Sequence, residues 1–162
     1  MKHTTSSARI GTVSAPLSSV RIVAHRGASA DAPENTLPAF ALAWEQQADA
    51  IEMDVHLTRD GRVVVLHDHD TLRVTGRKLL VAQSTLAELQ ALDAGSWKDP
   101  RWAGTRLPEL GEVLAGVPAG KRLVIELKDG PEMAVPMRDL LLAARTPLSS
   151  VDLIGFGYDT MA

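Results

Sequence analysis

The sequence predicts an α/β fold with a largely parallel β-sheet, and two observations lead to this prediction. Short apolar runs typical of strands alternate with segments typical of helices, as expected where helical crossovers connect parallel strands. Of the 162 residues, 45% are hydrophobic and 23% are charged, which is typical of a globular protein. A chain of this length is expected to form one domain. The predicted strands cover residues 21–24, 50–57, 63–66, 122–128 and 151–156.

Capping and turn signals predict the first elements between the strands. Thr36 is an expected helix N-cap, with Pro38 in the first turn of a helix that runs to about residue 47. Asp60-Gly61 predicts a tight turn. The link between the second and third strands is therefore too short for a helical crossover, and we expect a hairpin-like connection there.

Residues 69–106 interrupt the alternation of strands and helices and predict a functional loop or small insertion. Within it, Thr85 to Glu88 predicts a capping box that opens a short helix. Trp97 and Trp102 in the same insertion either cover a functional site or pack the insertion itself. Two further helices are predicted, over residues 107–115 and 132–145.

Composition and charge exclude several classes of protein. The chain has no cysteine, so any metal must bind to carboxylate, imidazole or backbone ligands. A net charge of -3 and an aromatic content of 4% predict no nucleic-acid partner. No stretch approaches the roughly 18 apolar residues of a membrane span. Residues 1–20 are expected to be a flexible polar tail without the apolar core of a secretory signal, and we therefore expect a cytoplasmic protein.

The second predicted strand combines an apolar face with a polar face. Side chains of a strand point alternately to its two faces, and here Ile, Met, Val and Leu alternate with Glu52, Asp54, His56 and Thr58. This pattern leaves two alternatives open. The polar face is either solvated, as in a half-exposed strand, or it points into the protein, where two carboxylates need a cation.

Polar side chains also gather where four predicted strands end. Because the carboxyl ends of parallel strands form one rim, where barrel active sites lie, we expect these side chains to meet. Three carboxylates suit a hard divalent cation, two imidazoles suit acid and base catalysis, and Arg and Lys bind phosphate. Together they favour metal-assisted cleavage of a phosphate ester. The residues are His25 and Arg26, Glu52 and Asp54, His67 and Asp68, and Glu126 and Lys128.

The order and spacing of these motifs resemble the glycerophosphodiester phosphodiesterase family over about residues 21–160. The matching motifs are His25-Arg26-Gly27, Pro33-Glu34-Asn35-Thr36, Glu52-x-Asp54, Thr58-x-Asp60-Gly61, His67-Asp68 and Ile125-Glu126-Leu127-Lys128. The resemblance implies a TIM barrel domain over residues 21–162. The chain would hold about five of the eight barrel strands, with a small insertion after strand three.

The same resemblance implies a reaction and its residues. The reaction is hydrolysis of small-molecule glycerophosphodiesters to sn-glycerol 3-phosphate and an alcohol, through attack of the substrate's own hydroxyl and a cyclic phosphate. The cofactor is a divalent cation, Mg or Ca. The implied residues are His25 and His67 as acid and base, Arg26 and Lys128 on the phosphate, Glu52, Asp54 and Glu126 on the metal, and Glu34 and Asn35 supporting the ligands.

Two alternatives to this function remain open. One is a related phosphodiesterase that acts on lysophospholipids. The other is an inactive fragment or an oligomerising protein without activity, because a partial barrel has two open sheet edges through which self-association is expected. Among the remaining histidines, His56 is expected to have a packing or supporting role, and His69 is expected in a loop.

Overall fold

The computed structural model describes residues 20–156, which form the predicted α/β fold with five strands. All of the predicted tail except Val20 lies outside the described residues. The strands are β1 (Val23–His25), β2 (Ala50–Leu57), β3 (Val63–Val65), β4 (Arg122–Leu127) and β5 (Val151–Ile154). The α-helices are α1 (Leu37–Glu45), α2 (Leu72–Thr75), α3 (Leu86–Gln90), α4 (Leu110–Ala115) and α5 (Ala134–Ala143). Short 3₁₀ turns cover Val81–Gln83, Pro100–Trp102, Pro131–Met133 and Leu148–Ser150.

The sheet consists of four parallel strands and one antiparallel strand. The parallel strands follow the order β1-β2-β4-β5, and β3 pairs antiparallel with β2. β1 pairs with the first three residues of β2 and β3 with the last three, while β4 covers the opposite edge of β2. β1 and β3 therefore share one edge of β2, and the hairpin-like connection predicted between the second and third strands is confirmed.

The apolar face of β2 forms the centre of the main core. Ile51, Met53 and Val55 have no exposed surface and pack with apolar side chains of α1, α4 and α5. Burial of one such side chain contributes about 1.5–3 kcal/mol to stability. The polar face is buried as well, because Asp54 is 1% exposed and Glu52 is 9% exposed. Of the two alternatives for this strand, the solvated face is wrong.

A second apolar cluster holds the insertion against the sheet. It joins Val64 and Leu66 of the β3 region to Val74, Val81, Leu86, Leu89, Ala94 and Leu107. The predicted capping box is present, since Glu88 N donates to Thr85 Oγ1 at 3.3 Å and Thr85 N donates to Glu88 Oε2 at 2.8 Å. The insertion is therefore a packed part of the fold, and its side chains have defined positions.

The sheet stays open at both ends within residues 20–156. β1 and β5 are its terminal strands, so the described part of the chain is a partial barrel. Apolar side chains are exposed along these edges, among them Ile22, Val23, Ile154 and Phe156. None of the helices in the described part of the chain is long and apolar enough to cross a membrane.

Candidate active site

Three buried carboxylates form the centre of the candidate site. Glu52 and Asp54 project from β2, and Glu126 of β4 lies opposite Asp54 in the strand register. One oxygen of each residue lies within 4.8 Å of the others. Burial and the adjacent charge of Asp54 raise the pKa of Glu52. Such a cluster of like charges in the interior needs compensating positive charge.

Asp54 carries the feature that best fits a divalent cation. Its Oδ2 accepts a hydrogen bond from Asn35 Nδ2 at 2.9 Å. Its buried Oδ1 forms an ion pair with Lys128 Nζ at 2.9 Å and accepts no hydrogen bond from the other described residues. Burial acts to raise the pKa of Asp54, but the Asn35 hydrogen bond and the Lys128 ammonium outweigh it and lower the pKa. An ionised oxygen with unused acceptor capacity among carboxylates is a ligand that Mg²⁺ or Ca²⁺ prefers.

The Lys128 ammonium lies between two of these carboxylates. It donates to Glu126 Oε1 at 2.6 Å and lies 2.9 Å from Asp54 Oδ1. Burial acts to lower the pKa of Lys128, but Glu126 and Asp54 raise it, so the side chain is cationic. The structure thus places Lys128 beside the carboxylates, and its contact with a phosphate stays a prediction.

His25 and Arg26 reach the cluster from the end of β1. His25 Nε2 lies 3.8 Å from Glu52 Oε2, and the imidazole is 69% exposed. Arg26 N donates to the same Glu52 oxygen at 3.1 Å, and Arg26 Nε lies 3.3 Å from Asp54 Oδ2. The strand end therefore delivers an accessible imidazole and a guanidinium to the carboxylates.

A strained turn gives this strand end its geometry. Arg26 has a φ of 58° and Gly27 a φ of 79°, which are left-handed values that few residues other than glycine adopt. A Cβ on Gly27 would lie 2.8 Å from the backbone of Ala39 in α1. The close approach of α1 therefore requires glycine, and the turn directs the Arg26 amide at Glu52.

The two predicted supporting residues both contact the site. Asn35 is buried and donates to Asp54, and its φ of 56° is one that asparagine tolerates. Glu34 Oε1 accepts from Arg26 Nη1 at 3.0 Å. Burial acts to raise the pKa of Glu34, but Arg73 and then Arg26 lower it. Both side chains are thus placed to orient charged groups around Asp54.

His67 reaches the site by a different route from the one expected. Because β3 is antiparallel, its carboxyl end does not join the rim formed by the parallel strands, and that part of the reasoning is wrong. β3 instead runs back along β2, and Leu66 N donates to Asp54 O at 3.0 Å. His67 therefore follows directly beside the middle of β2, where the carboxylates lie.

A residue without a predicted role, Arg73, connects both sides of the site. His67 Nδ1 lies 2.7 Å from Asp68 Oδ1, and Arg73 Nε donates to Asp68 Oδ2 at 2.7 Å. The Arg73 hydrogen bond and then His67 lower the pKa of Asp68 to about 2. Arg73 also donates to both oxygens of Glu34 at 2.9 Å. Glu34 and Arg73 are 39 residues apart in sequence, so no local pattern reveals their contact.

His56 has the supporting position that was predicted for it. Its Nδ1 lies 2.9 Å from Asp129 Oδ1 and its Nε2 lies 3.2 Å from His67 O. Asp129 Oδ2 also accepts from Leu57 N at 2.6 Å. His56 therefore ties β2 to the segments that follow β3 and β4. Asp129 was not among the predicted residues, and the only sequence signal for it is its position directly after Lys128.

The insertion also contacts the loop behind β1. Lys98 Nζ donates to Ser29 O at 2.7 Å, and Arg101 Nη2 donates to Asp31 O at 2.9 Å. Trp97 Nε1 donates to Ala94 O at 2.9 Å within the insertion, so this tryptophan takes part in packing the insertion.

A cavity of about 730 Å³ lies away from the carboxylates, at the other end of the sheet. It is lined in part by Asp49, Lys121 and Arg122, next to the starts of β2 and β4. Lys121 Nζ donates to Ala48 O at 2.6 Å, and Arg122 Nη2 donates to Asp152 Oδ2 at 2.7 Å. These cations are already paired within the protein, so the carboxylate cluster remains the candidate site.

The comparisons with known proteins point to one family. Residues 25–159 match the model of the glycerophosphoryl diester phosphodiesterase family. A glycerophosphodiester phosphodiesterase of Caldanaerobacter subterraneus is 42% identical over 124 residues, which cover 76% of this chain and 51% of that protein.

Solved structures agree with this match. A phosphodiesterase of Oleispira antarctica, solved in complex with the product sn-glycerol-3-phosphate, has a TM-score of 0.81 and 34% identity, covering 88% of this chain and 60% of that one. A glycerophosphodiester phosphodiesterase of Agrobacterium tumefaciens has a TM-score of 0.76 and 35% identity over the same shares. The chain spans about half the length of the curated relatives it matches. The family model, the relatives and the fold together show that this chain belongs to the glycerophosphoryl diester phosphodiesterase family.

Proposed function

We propose that the protein hydrolyses glycerophosphodiesters to sn-glycerol 3-phosphate and an alcohol, with Mg²⁺ or Ca²⁺ as cofactor. The observation that carries this proposal is the set of three buried, converging carboxylates on two adjacent strands. Imidazole, guanidinium and ammonium groups surround them, which are the groups that cleavage of a phosphate ester uses. Membership of the family supports the substrate class, as does the product bound to the Oleispira antarctica relative.

The proposal gives the carboxylates and the cations separate roles. Glu52, Asp54 and Glu126 hold the metal ion, which when bound neutralises charge that develops on the phosphate oxygens. Arg26 and Lys128 bind the phosphate. Both cations lie within 3.3 Å of an Asp54 oxygen, so a phosphate bound to them would also be adjacent to the metal ligands.

The two imidazoles take the acid and base roles. The pKa of Asp68 is lowered, and an ionised carboxylate can only accept a hydrogen bond, so Nδ1 of His67 donates to Asp68 and Nε2 is the nitrogen that can face the substrate. His67 therefore acts as the base that removes the proton from the attacking glycerol hydroxyl. As the new oxygen–phosphorus bond forms and the bond to the alcohol breaks, His25 donates a proton to the departing alcohol oxygen. Water then opens the cyclic phosphate with the proton transfers reversed.

Release of sn-glycerol 3-phosphate from glycerophosphocholine tests this function. We expect turnover with Mg²⁺ or Ca²⁺ that EDTA abolishes and that His25→Ala reduces by about 10²- to 10⁴-fold, the usual contribution of a general acid. His69→Ala is the matched control, because this imidazole is 78% exposed in a loop. Absence of turnover with every divalent cation would contradict the proposal.

The open sheet edges support a separate proposal on assembly. Exposed apolar side chains lie in or next to β1 and β5, at Ile22, Val23, Ile154 and Phe156, and unpaired strand edges are templates for pairing with another chain. We therefore propose that a protein consisting of this chain alone self-associates through these edges. Light scattering coupled to size-exclusion chromatography should show a species larger than the monomer. A monomer with a sharp thermal transition would contradict this.

A further inference from the structure

We propose that Arg73 is a positioning residue that holds the His67 imidazole through Asp68 and the Arg26 guanidinium through Glu34. The inference rests on the proposed function of the site, because it assigns a purpose to the orientation of two groups that act there. It gives the insertion, which carries Arg73 in α2, a part in orienting the groups that act on the substrate.

All three guanidinium nitrogens of Arg73 donate hydrogen bonds. Nε donates to Asp68 Oδ2 at 2.7 Å, while Nη1 and Nη2 donate to the two oxygens of Glu34 at 2.9 Å each. Only arginine can donate in one plane to two carboxylates in this way, and lysine offers a single point charge. The contact is therefore specific for the residue type as well as for its charge.

Each of the two carboxylates has a second partner in the site. Asp68 Oδ1 lies 2.7 Å from His67 Nδ1, and Glu34 Oε1 accepts from Arg26 Nη1 at 3.0 Å. A carboxylate with one or both oxygens held by Arg73 has little freedom to rotate, so its contact with His67 or Arg26 is held in place as well. Arg73 thereby fixes the tautomer of His67 and the direction of Arg26.

The backbone that carries Arg73 is itself anchored. The next residue, Val74, is buried in the apolar cluster under the insertion, and Gly76 ends α2 with a φ of 70°. The Arg73 side chain is 42% exposed, and ion pairs with that exposure contribute little to stability because water screens them. Its main effect is therefore expected in the geometry of the site rather than in the stability of the fold.

Arg73→Gln and Arg73→Lys test this inference, with Arg62→Gln as the matched control. Arg62 also donates a fork, to both oxygens of Glu109 at 2.7 Å, and it is similarly exposed. With glycerophosphocholine, we expect Arg73→Gln to lower kcat/KM by about 10- to 100-fold, as for other residues that orient reacting groups. Arg73→Lys should recover part of this loss, because it keeps the charge but not the planar fork, and Arg62→Gln should leave kcat/KM close to that of the wild type.

A kinetic comparison separates positioning from a structural role. We expect Asp68→Asn to lower kcat and Glu34→Gln to raise KM, whereas Arg73→Gln does both. In a double variant with Asp68→Asn or Glu34→Gln, Arg73→Gln should lower kcat/KM by a smaller factor than it does alone, because the residues act as one unit. Equal kinetics for Arg73→Gln and Arg62→Gln, or fully additive effects, would overturn the inference.

Nitrogen-15 NMR of the His67 ring gives a readout that does not need turnover. In the wild type we expect the tautomer with the proton on Nδ1, and in Arg73→Gln a mixture of both tautomers. A wild type without turnover would contradict the proposed function alone, since the ring spectra would still report on Arg73. Identical tautomers in the wild type and Arg73→Gln would overturn the inference even if the enzyme is active.

Discussion

The two sides of the candidate site are built in different ways. On one side, Glu52, Asp54 and Glu126 occupy regular positions on two parallel strands, and the register of those strands brings them together. On the other side, His67 follows an antiparallel strand and its imidazole contacts the adjacent Asp68, which in turn accepts from Arg73 of a short helix in the insertion. A ligand set on strands depends on backbone pairing that the core already enforces. An imidazole on a loop depends on side-chain contacts, which the network through Asp68 and Arg73 supplies.

His67→Ala should give the largest effect that separates the two sides. We expect kcat to fall by about 10²- to 10⁴-fold, while the affinity for Mg²⁺ or Ca²⁺ stays unchanged, because no strand-borne carboxylate is altered. Steady-state kinetics and calorimetric metal titration measure the two quantities. A parallel loss of metal affinity would show that the two sides do not act independently.

Gly27→Ala should destabilise the turn that follows β1, on the side of the site formed by the parallel strands. The new Cβ would lie 2.8 Å from the Ala39 backbone, at a φ of 79°, so we expect a loss of about 2–4 kcal/mol in the free energy of unfolding. Gly61→Ala is the control, because Gly61 has a similar φ of 72° with open space around it, and the substitution should lose only about 1–2 kcal/mol. Urea denaturation measures both. Equal losses would show that the approach of α1 does not constrain this turn.

On the side of the site that contains His67, Asp68 should make a smaller contribution to stability that depends on pH. The pKa of Asp68 is lowered from 3.8 to about 2 in the folded protein. A lowered carboxyl pKa stabilises the folded state above the unfolded-state pKa, and this contribution is lost as the pH falls from about 3.8 through about 2. Asp68→Asn should therefore reduce the fall in stability over that range.

Denaturant unfolding at several pH values between 5 and 2 measures this effect. In a protein that already carries Arg73→Gln, Asp68→Asn should change the pH dependence of the free energy of unfolding by less, because the Arg73 hydrogen bond is the largest cause of the lowered pKa of Asp68. If Asp68→Asn has the same effect with and without Arg73→Gln, the contact between Arg73 and Asp68 is not the cause of the lowered pKa.

The same contrast explains what the sequence could predict. β2 begins and ends at the predicted residues, and its alternation correctly separated an apolar face from a polar face, because strand periodicity is a local property. Thr36 was correctly predicted as the N-cap of α1. In each case the sequence pattern that supports the prediction lies within a few residues along the chain.

The parts that the sequence could not predict depend on distant contacts. Arg73 meets Glu34 across 39 residues and His56 meets Asp129 across 73 residues, and neither spacing has a local signature. The antiparallel direction of β3 was expected from its short connection, but its consequence for His67 follows only from the pairing with β2. The helix predicted over 107–115 starts at Leu110 because a capping box between Glu109 and Glu112 sets its beginning, and glutamate is an unusual N-cap.

The central claim is that the carboxylates of β2 and β4 form a cation site. Calorimetric titration of the wild type and of Asp54→Asn with Mg²⁺ or Ca²⁺ tests this claim most directly. Asp54→Asn keeps the shape of the side chain and removes its charge, and Asp152→Asn, at an exposed ion pair of β5, is the control. We expect one divalent cation per chain in the wild type and in Asp152→Asn, and an affinity at least about 100-fold weaker in Asp54→Asn, beyond the usual loss for a residue behind the ligands. Equal affinities in all three proteins would contradict the claim.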